Sequence, residues 1–134
     1  MISNTITTKK HNIRKFIFKS CTYNVQTAST TEELGLVCKE LGKAGVTVGG
    51  LQETRILGTG KKTVKFDGGI FDVYYSGKSD NREHGVAICL QSAHVLFENV
   101  EWGNERMIAV DCRIGGEQIQ GFERICTAKW STGE

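Results

Sequence analysis

Proline is absent from this sequence of 134 residues, in which an average composition would give about six or seven. Long apolar runs are absent too, because no stretch approaches the ~20 residues that a helix needs to cross a bilayer. The start of the chain also lacks the apolar segment of a secretory signal. These absences predict a soluble protein that is neither secreted nor inserted in a membrane.

Cysteine pairs at metal-binding or redox spacing are missing as well. The sequence contains no Cys-x-x-Cys motif and no Cys/His pair at zinc-finger spacing, and its five cysteines are dispersed: Cys21, Cys38, Cys89, Cys112 and Cys126. An odd, dispersed set inside apolar segments is typical of reduced, buried thiols. We therefore expect an intracellular protein, in the nucleus or the cytoplasm, without a disulfide framework or a zinc site.

The composition that remains is that of one globular domain, with 39% hydrophobic and 24% charged residues. Charge is unevenly placed: residues 1–31 carry five basic side chains and no acid, whereas the rest carries 12 basic and 15 acidic groups. We interpret residues 1–15 as a basic, flexible arm. Such an arm is either a solvated chain end or a segment that attracts the phosphate backbone of a nucleic acid.

A strand, a helix and a second strand are predicted next. Residues 15–25 have strong strand propensity. Thr30 and Glu33 can form a capping box before an amphipathic helix, and Gly45 is a suitable stop. Residues 46–51 form the second strand, weakened by two glycines. A strand, helix and strand of these lengths form a βαβ unit, so the two strands should be parallel neighbours.

Short strands separated by turns follow, near residues 63–66, 71–76, 85–90, 93–98 and 106–114. A βαβ start followed by antiparallel strands predicts an α+β fold, half of a two-layer β-sandwich. Beyond Gln118 the periodicity fades. We therefore place the domain at residues 16–118 and a divergent tail at 119–134.

Two local patterns imitate functional motifs. The segment Gly58-Thr59-Gly60-Lys61-Lys62 fails the phosphate-loop pattern, because Arg55 stands where its first glycine should be and Lys62 where Ser or Thr should be. The histidines lack metal-pair spacing and a neighbouring nucleophile, so we interpret each as structural or solvent-facing: His11, His84 and His94.

The polar residues after the two parallel strands are better candidates. In open α/β sheets, ligands gather beyond the carboxyl ends of the strands. Asn24 lies at that end of the first strand, and Gln52 and Glu53 lie at that end of the second.

These residues belong to a wider pattern, which comprises Thr22-Tyr23-Asn24-Val25, Leu51-Gln52-Glu53-Thr54-Arg55, Phe71-Asp72-Val73-Tyr74-Tyr75-Ser76-Gly77, Gly85-Val86-Ala87-Ile88 and Asn104-Glu105-Arg106-Met107. In this order the segments resemble the N-terminal half of the endonuclease/exonuclease/phosphatase superfamily. The resemblance covers residues 16–114. Within that superfamily it is nearest to the apurinic-type endonuclease domains of non-LTR retrotransposons and to craniofacial-development-protein-2-like proteins.

The resemblance implies a Mg²⁺-dependent phosphodiesterase, a hydrolase acting on DNA or another nucleic acid. Glu53 would be the metal carboxylate, and Asn24 would orient the phosphate or a metal-bound water. Mg²⁺ commonly uses one or two carboxylates together with the substrate phosphate, which suits one glutamate at a strand end. Arg55 and Arg106 could approach a phosphate backbone, although salt bridging or solvation explains each equally well.

The remaining motifs of the superfamily are missing: a Tyr-Ala-Pro strand, a Gly-Asp-Phe-Asn segment and a terminal Ser-Asp-His. We therefore expect a truncated domain that does not catalyse by itself and self-associates through an uncovered sheet face. Two alternatives stay open. One is a non-catalytic module that binds nucleic acid with the basic arm, and the other is a degenerate retroelement-derived protein without selected activity.

Overall fold

The computed structural model describes the backbone of residues 2–10, 19–114 and 124–132, and the side chains of residues 19–113. These parts of the chain form one helix and two β-sheets. In chain order the elements are β1 (Ile2–Lys10), β2 (Ser20–Asn24), α1 (Thr31–Lys43), β3 (Val48–Gln52), β4 (Thr59–Phe66), β5 (Gly69–Ser76), β6 (Val86–Gln91), β7 (Val95–Asn104), β8 (Met107–Ile114) and β9 (Arg124–Thr132).

The helix α1 begins and ends where the sequence predicts. The Thr30 hydroxyl accepts from the Glu33 backbone N–H at 3.1 Å, and the Glu33 carboxylate accepts from the Thr30 backbone N–H at 3.1 Å. This confirms the capping box, which satisfies two amides that the first turn leaves free. Gly45 follows with a left-handed φ of 73°, the conformation that ends many helices. No helix in the described ranges is long and apolar enough to cross a membrane.

The larger sheet contains five strands in the order β2-β3-β6-β5-β4. The β2 and β3 strands pair in parallel, as the βαβ unit predicts, and every other neighbouring pair in this sheet is antiparallel. The β3 strand begins and ends later than predicted, at Val48 and Gln52. The predicted start of the first strand, residues 15–18, lies outside the described residues. The chain is thus an α+β protein with a mixed sheet.

The smaller sheet contains four strands in the order β1-β9-β8-β7, and two of them were not predicted. The β1 strand falls in the predicted basic arm, and β9 falls in the predicted divergent tail. They pair antiparallel with each other from Ile2 opposite Thr132 to Lys10 opposite Arg124. Local sequence gives little signal for β1, because its only bulky apolar residues are Ile2 and Ile6. Its partner is also more than a hundred residues away in the chain.

Two apolar layers hold these elements together. The first lies between α1 and the five-stranded sheet, and its fully buried side chains include Leu34, Leu51 and Phe71. The second lies between the two sheets, where Ile88 and Leu90 meet Ile108 and Val110. Burial of this apolar area is the main force that stabilises the domain.

The second layer corrects the expectation of half a sandwich with an uncovered face. The inward-facing side chains of β7 and β8 pack on the face of the five-stranded sheet that points away from α1. The middle of the central sheet is therefore covered on both faces, whereas the edge strands β2 and β4 keep exposed residues such as Thr22 and Thr63. Self-association through the part of that face that remains exposed stays a prediction.

Candidate functional site

The candidate site lies at one end of the five-stranded sheet, where its strands begin or end, and we call this the site end. In this last row of the sheet, Asn24 pairs with Gln52, Gln52 with Val86, and Val86 with Ser76. The site end therefore brings together the carboxyl ends of β2, β3 and β5 and the start of β6. Side chains from loops that are distant in sequence meet here for that reason.

A cleft of about 610 Å³ opens at the site end. Its lining residues are Asn24, Gln26, Thr27, Glu53 and Arg55. Three of the four residues predicted for the site are thus in one cleft. The fourth, Arg106, reaches the same end of the sheet through His84, as described below.

Asn24 and Glu53 present oxygen atoms to this cleft in different ways. The Asn24 side-chain oxygen accepts from the Gln26 backbone N–H at 3.0 Å, which forms a local turn directly after β2. The Glu53 side chain keeps 31% of its surface exposed. The two strand ends therefore supply two kinds of oxygen atom that could bind a ligand: the carboxylate oxygens of Glu53 and the amide oxygen of Asn24.

Backbone hydrogen bonds join four loops at the site end. Ala28 N–H donates to the Thr54 carbonyl at 2.9 Å, and Thr54 N–H donates to the Gly85 carbonyl at 3.2 Å. Arg55 N–H donates to the His84 carbonyl at 2.7 Å, and Gly85 N–H donates to the Glu105 carbonyl at 3.0 Å. These bonds fix the positions of the loops, so the side chains that they carry start from a rigid base.

Left-handed backbone is concentrated in the same loops. Among the described residues, the non-glycine positions with positive φ are Gln26 at 62°, Glu53 at 59°, Arg55 at 60° and His84 at 59°. A side chain in this conformation costs about 1–2 kcal/mol per residue, because Cβ approaches the following carbonyl oxygen. Strained residues of this kind gather at functional sites, where the surrounding structure holds them in place.

His84 joins Glu53 to Arg106. Its Nδ1 lies 3.5 Å from Oε1 of Glu53, and its Nε2 lies 3.4 Å from a terminal guanidinium nitrogen of Arg106. The sequence-based interpretation of His84 as structural or solvent-facing therefore missed its place at the site. No local motif signals it, because Glu53 and His84 lie on separate loops of the chain. The signal is the antiparallel register of β3 and β6, which sets Gln52 opposite Val86.

The charged residues on the rim of the site are paired with each other. Lys78 donates to Glu83 at 3.0 Å, and this contact lowers the pKa of the Glu83 carboxyl and raises the pKa of the Lys78 ammonium. Arg82 donates to the Arg55 carbonyl at 3.3 Å. The Lys78–Glu83 contact lies within the loop before β6, and the Arg82 contact holds that loop against the loop after β3.

Two buried polar atoms lie in the last row of the sheet. The Gln52 side-chain oxygen and the Ser76 hydroxyl are buried and find no hydrogen-bond partner among the described residues. Each shares a face with members of the layer between the sheets, since Gln52 is four residues after Val48 and Ser76 two after Tyr74. Buried polar atoms of the site end therefore lie next to the apolar layer between the two sheets.

The donors at the site end match Mg²⁺ only in a limited way. Mg²⁺ is held by hard oxygen ligands, commonly one or two carboxylates plus a substrate phosphate. Glu53 supplies one carboxylate, and the described residues contain no group of three His, Cys, Asp or Glu that could hold a metal. Among the described residues, the cleft therefore offers a cation one carboxylate, that of Glu53.

Comparisons with known proteins identify no relative. No family model, no curated protein and no solved structure matches the chain. The geometry of the site end is therefore the basis for the function proposed next.

Proposed function

We propose that the site end is a phosphodiester-binding site of the endonuclease/exonuclease/phosphatase type, centred on Glu53, and that the chain does not cleave DNA by itself. One observation carries the proposal. Glu53 and Asn24, which come from two separate strand ends, line one cleft together with Arg55. The ordered motifs in the sequence support the same assignment, as do the βαβ start and the two facing sheets.

Each residue has a defined part in this proposal. The Glu53 carboxylate holds the cation, and the Asn24 amide orients the phosphate or a water beside it. Arg55 lines the same cleft and supplies positive charge for a phosphate oxygen. When bound, Mg²⁺ would stabilise negative charge on the phosphoryl oxygens. Because phosphates are the shared feature of DNA and RNA, we propose nucleic acid as the ligand class.

Catalysis needs more groups than the site end supplies. Hydrolysis of a phosphodiester by a Mg²⁺-dependent enzyme requires a positioned water, a stabilised leaving group and the metal, and groups that act as a unit lose most activity when one is missing. The described cleft contains one carboxylate, and the neighbouring His84 lies between Glu53 and Arg106. We therefore propose binding without efficient cleavage.

The first test is a cleavage assay with purified protein, Mg²⁺ and either supercoiled DNA or a duplex with an abasic site. We expect no cleavage above a protein-free control. Cleavage that Glu53→Ala abolishes would overturn the proposed lack of activity and would show a working nuclease.

The second test measures cation binding by titration calorimetry, with Mn²⁺ as the probe in the presence and absence of a short DNA oligonucleotide. We expect binding that the oligonucleotide strengthens, because phosphate oxygens complete the coordination. Glu53→Ala should abolish the binding, whereas Glu101→Ala, an exposed glutamate on β7, should leave it unchanged. Binding that is equal in both variants would contradict the site.

A further inference from the structure

We propose that His84 is a positioning residue for Glu53, and that Arg106 selects the tautomer of the His84 ring that makes this possible. The inference rests on the proposed function, because Glu53 is the residue that is positioned. It adds a hydrogen-bonded chain from the turn before β8 to the cleft, in which Arg106 donates to His84 and His84 donates to Glu53.

The direction of the chain follows from the chemistry of its members. An arginine guanidinium has only donors, so the Nε2 atom of His84, 3.4 Å from Arg106, must be the acceptor in this contact. A neutral imidazole that accepts at Nε2 carries its proton at Nδ1. That Nδ1 lies 3.5 Å from Oε1 of Glu53, within ion-pair distance of a carboxylate but longer than a normal hydrogen bond. Hydrogen bonds in ligand-free sites are often this long and tighten when a ligand binds.

The backbone keeps all three side chains in reach of each other. Glu53 and His84 both have left-handed φ, and the 2.7 Å bond from Arg55 N–H to the His84 carbonyl ties their loops together. Arg106 N–H donates to the Asn104 side-chain oxygen at 2.8 Å, which fixes the turn before β8. The neighbouring Glu105 carbonyl accepts from Gly85, next to His84. The alignment therefore does not depend on flexible side chains alone.

The two carboxylate oxygens of Glu53 therefore have different roles. His84 holds Oε1, so the carboxylate has one orientation, and Oε2 is left to face a cation. Hydrogen-bond partners that orient a metal ligand in this way typically change metal affinity about 10–100-fold when they are lost. We expect a reduction within that range when His84 no longer donates.

The direct test is the tautomer of His84 in long-range ¹H–¹⁵N correlation spectra, recorded at a pH that leaves imidazole neutral. We expect the Nδ1–H tautomer in the wild-type chain. Arg106→Met removes the donor but keeps an apolar stem, and it should shift the ring towards the Nε2–H tautomer. Arg113→Met is the control: it removes an arginine that pairs with Glu98 within the four-stranded sheet, and it should leave the tautomer of His84 unchanged. An Nε2–H tautomer in the wild-type chain would overturn the proposal.

A second readout separates positioning from simple folding. His84→Ala should weaken Mn²⁺ binding about 10–100-fold. His84→Asn should restore most of it, because its amide N–H₂ is placed near the Nδ1 position and Asn tolerates left-handed backbone. Equal affinity in wild type and His84→Ala would contradict positioning. If wild type binds no Mn²⁺ at all, the proposed function fails, while the tautomer still decides whether Arg106 and His84 form the chain.

Discussion

The two ends of the five-stranded sheet differ in which residues adopt left-handed backbone. The end of the sheet opposite the site contains the β4–β5 turn at residues 66–69 and the β6–β7 turn at residues 91–94, and we call it the hairpin end. There the chain leaves α1 through Gly45, whose φ is 73°. At the site end, left-handed backbone occurs at Gln26, Glu53, Arg55 and His84, and also at Gly58 and Gly85. Glycine adopts this conformation at no steric cost, whereas other residues do not.

This difference shows where the fold tolerates strain. Both ends connect strands of one sheet and share the apolar layers on its faces, so the sheet itself does not require strained residues at one end only. The strained positions lie near the cleft, the Glu53–His84–Arg106 contacts and the oxygens of Gln52 and Ser76, which have no hydrogen-bond partner in the part of the chain that the structure describes. Retained strain of this kind is expected where a site limits the choice of residue.

The largest effect should come from a side chain added to a glycine of the site end. In Gly85→Ala, Cβ would lie 2.5 Å from the Thr54 hydroxyl and 3.1 Å from the Arg55 nitrogen, at a φ of 104°. Overpacking and backbone strain together should lower the free energy of unfolding by about 3 kcal/mol or more. Urea unfolding followed by circular dichroism measures this change.

Gly35→Ala is the matched control, because an added Cβ there has no neighbour within 4 Å and the residue is helical. It should raise the free energy of unfolding by about 0.5–1 kcal/mol. A loss of similar size in both variants would show that the loops at Gly85 are not tightly held.

Gly45, at the hairpin end, should have a smaller effect. In Gly45→Ala, the added Cβ meets nothing within 4 Å, so only the left-handed φ of 73° opposes it. We expect a loss of about 1–2 kcal/mol in the same unfolding experiment. A loss as large as that of Gly85→Ala would remove the contrast between the two ends.

The capping box at the start of α1 should contribute about as much as a single hydrogen-bonded cap. Thr30→Ala removes the hydroxyl that accepts from Glu33 N–H, and it should lower the free energy of unfolding by about 1 kcal/mol. Ser, which keeps the hydroxyl, is the control substitution. If Thr30→Ser destabilises as much as Thr30→Ala, the hydroxyl is not the cause.

The same cap predicts a dependence on pH. The Thr30 backbone N–H, followed by side-chain contacts, lowers the pKa of the Glu33 carboxyl in the folded chain. A lowered folded pKa means that Glu33 stabilises the fold above the carboxyl pKa of the unfolded chain. This stabilisation is lost as the pH falls through the folded value. Glu33→Gln should therefore flatten the acid side of the stability curve, and an unchanged curve would contradict this origin.

The smallest change should come from relieving strain at the cleft. Gln26→Gly removes the cost of left-handed φ but increases the freedom of the unfolded chain, so the two effects nearly cancel. We expect the free energy of unfolding to stay equal or to rise by up to about 1 kcal/mol. A clear loss would show that the Gln26 side chain makes contacts that offset its strain.

Local patterns in the sequence were sufficient for part of this fold. The capping box, the stop at Gly45 and the parallel pairing of β2 and β3 depend on residues close in the chain, and each was predicted. The β7 strand is longer than predicted, because Glu98, Asn99 and Glu101 interrupt its apolar pattern and bulges shift its register. The β1 strand was missed because its partner, β9, lies at the other end of the chain, whereas β9 also pairs with β8 and was missed because the sequence beyond Gln118 shows little periodicity.

The candidate site was predictable to a similar extent. Asn24 and Glu53 follow strands that a βαβ unit must place side by side, so their proximity can be inferred from the sequence alone. His84 could not be found in this way, because it approaches Glu53 only through the antiparallel pairing of β3 with β6. The pairing of β6 with both β3 and β5 is a property of the whole sheet.

Broadening of backbone amide signals by Mn²⁺, in the presence of a short DNA oligonucleotide, tests the central claim most directly. We predict that amides at positions 24–27, 53–55 and 84–85 of the site end broaden, that positions 66–69 and 91–94 of the hairpin end do not, and that Glu53→Gln abolishes the effect. Broadening that is equal at both ends, or that persists in Glu53→Gln, would contradict a cation and phosphate site centred on Glu53.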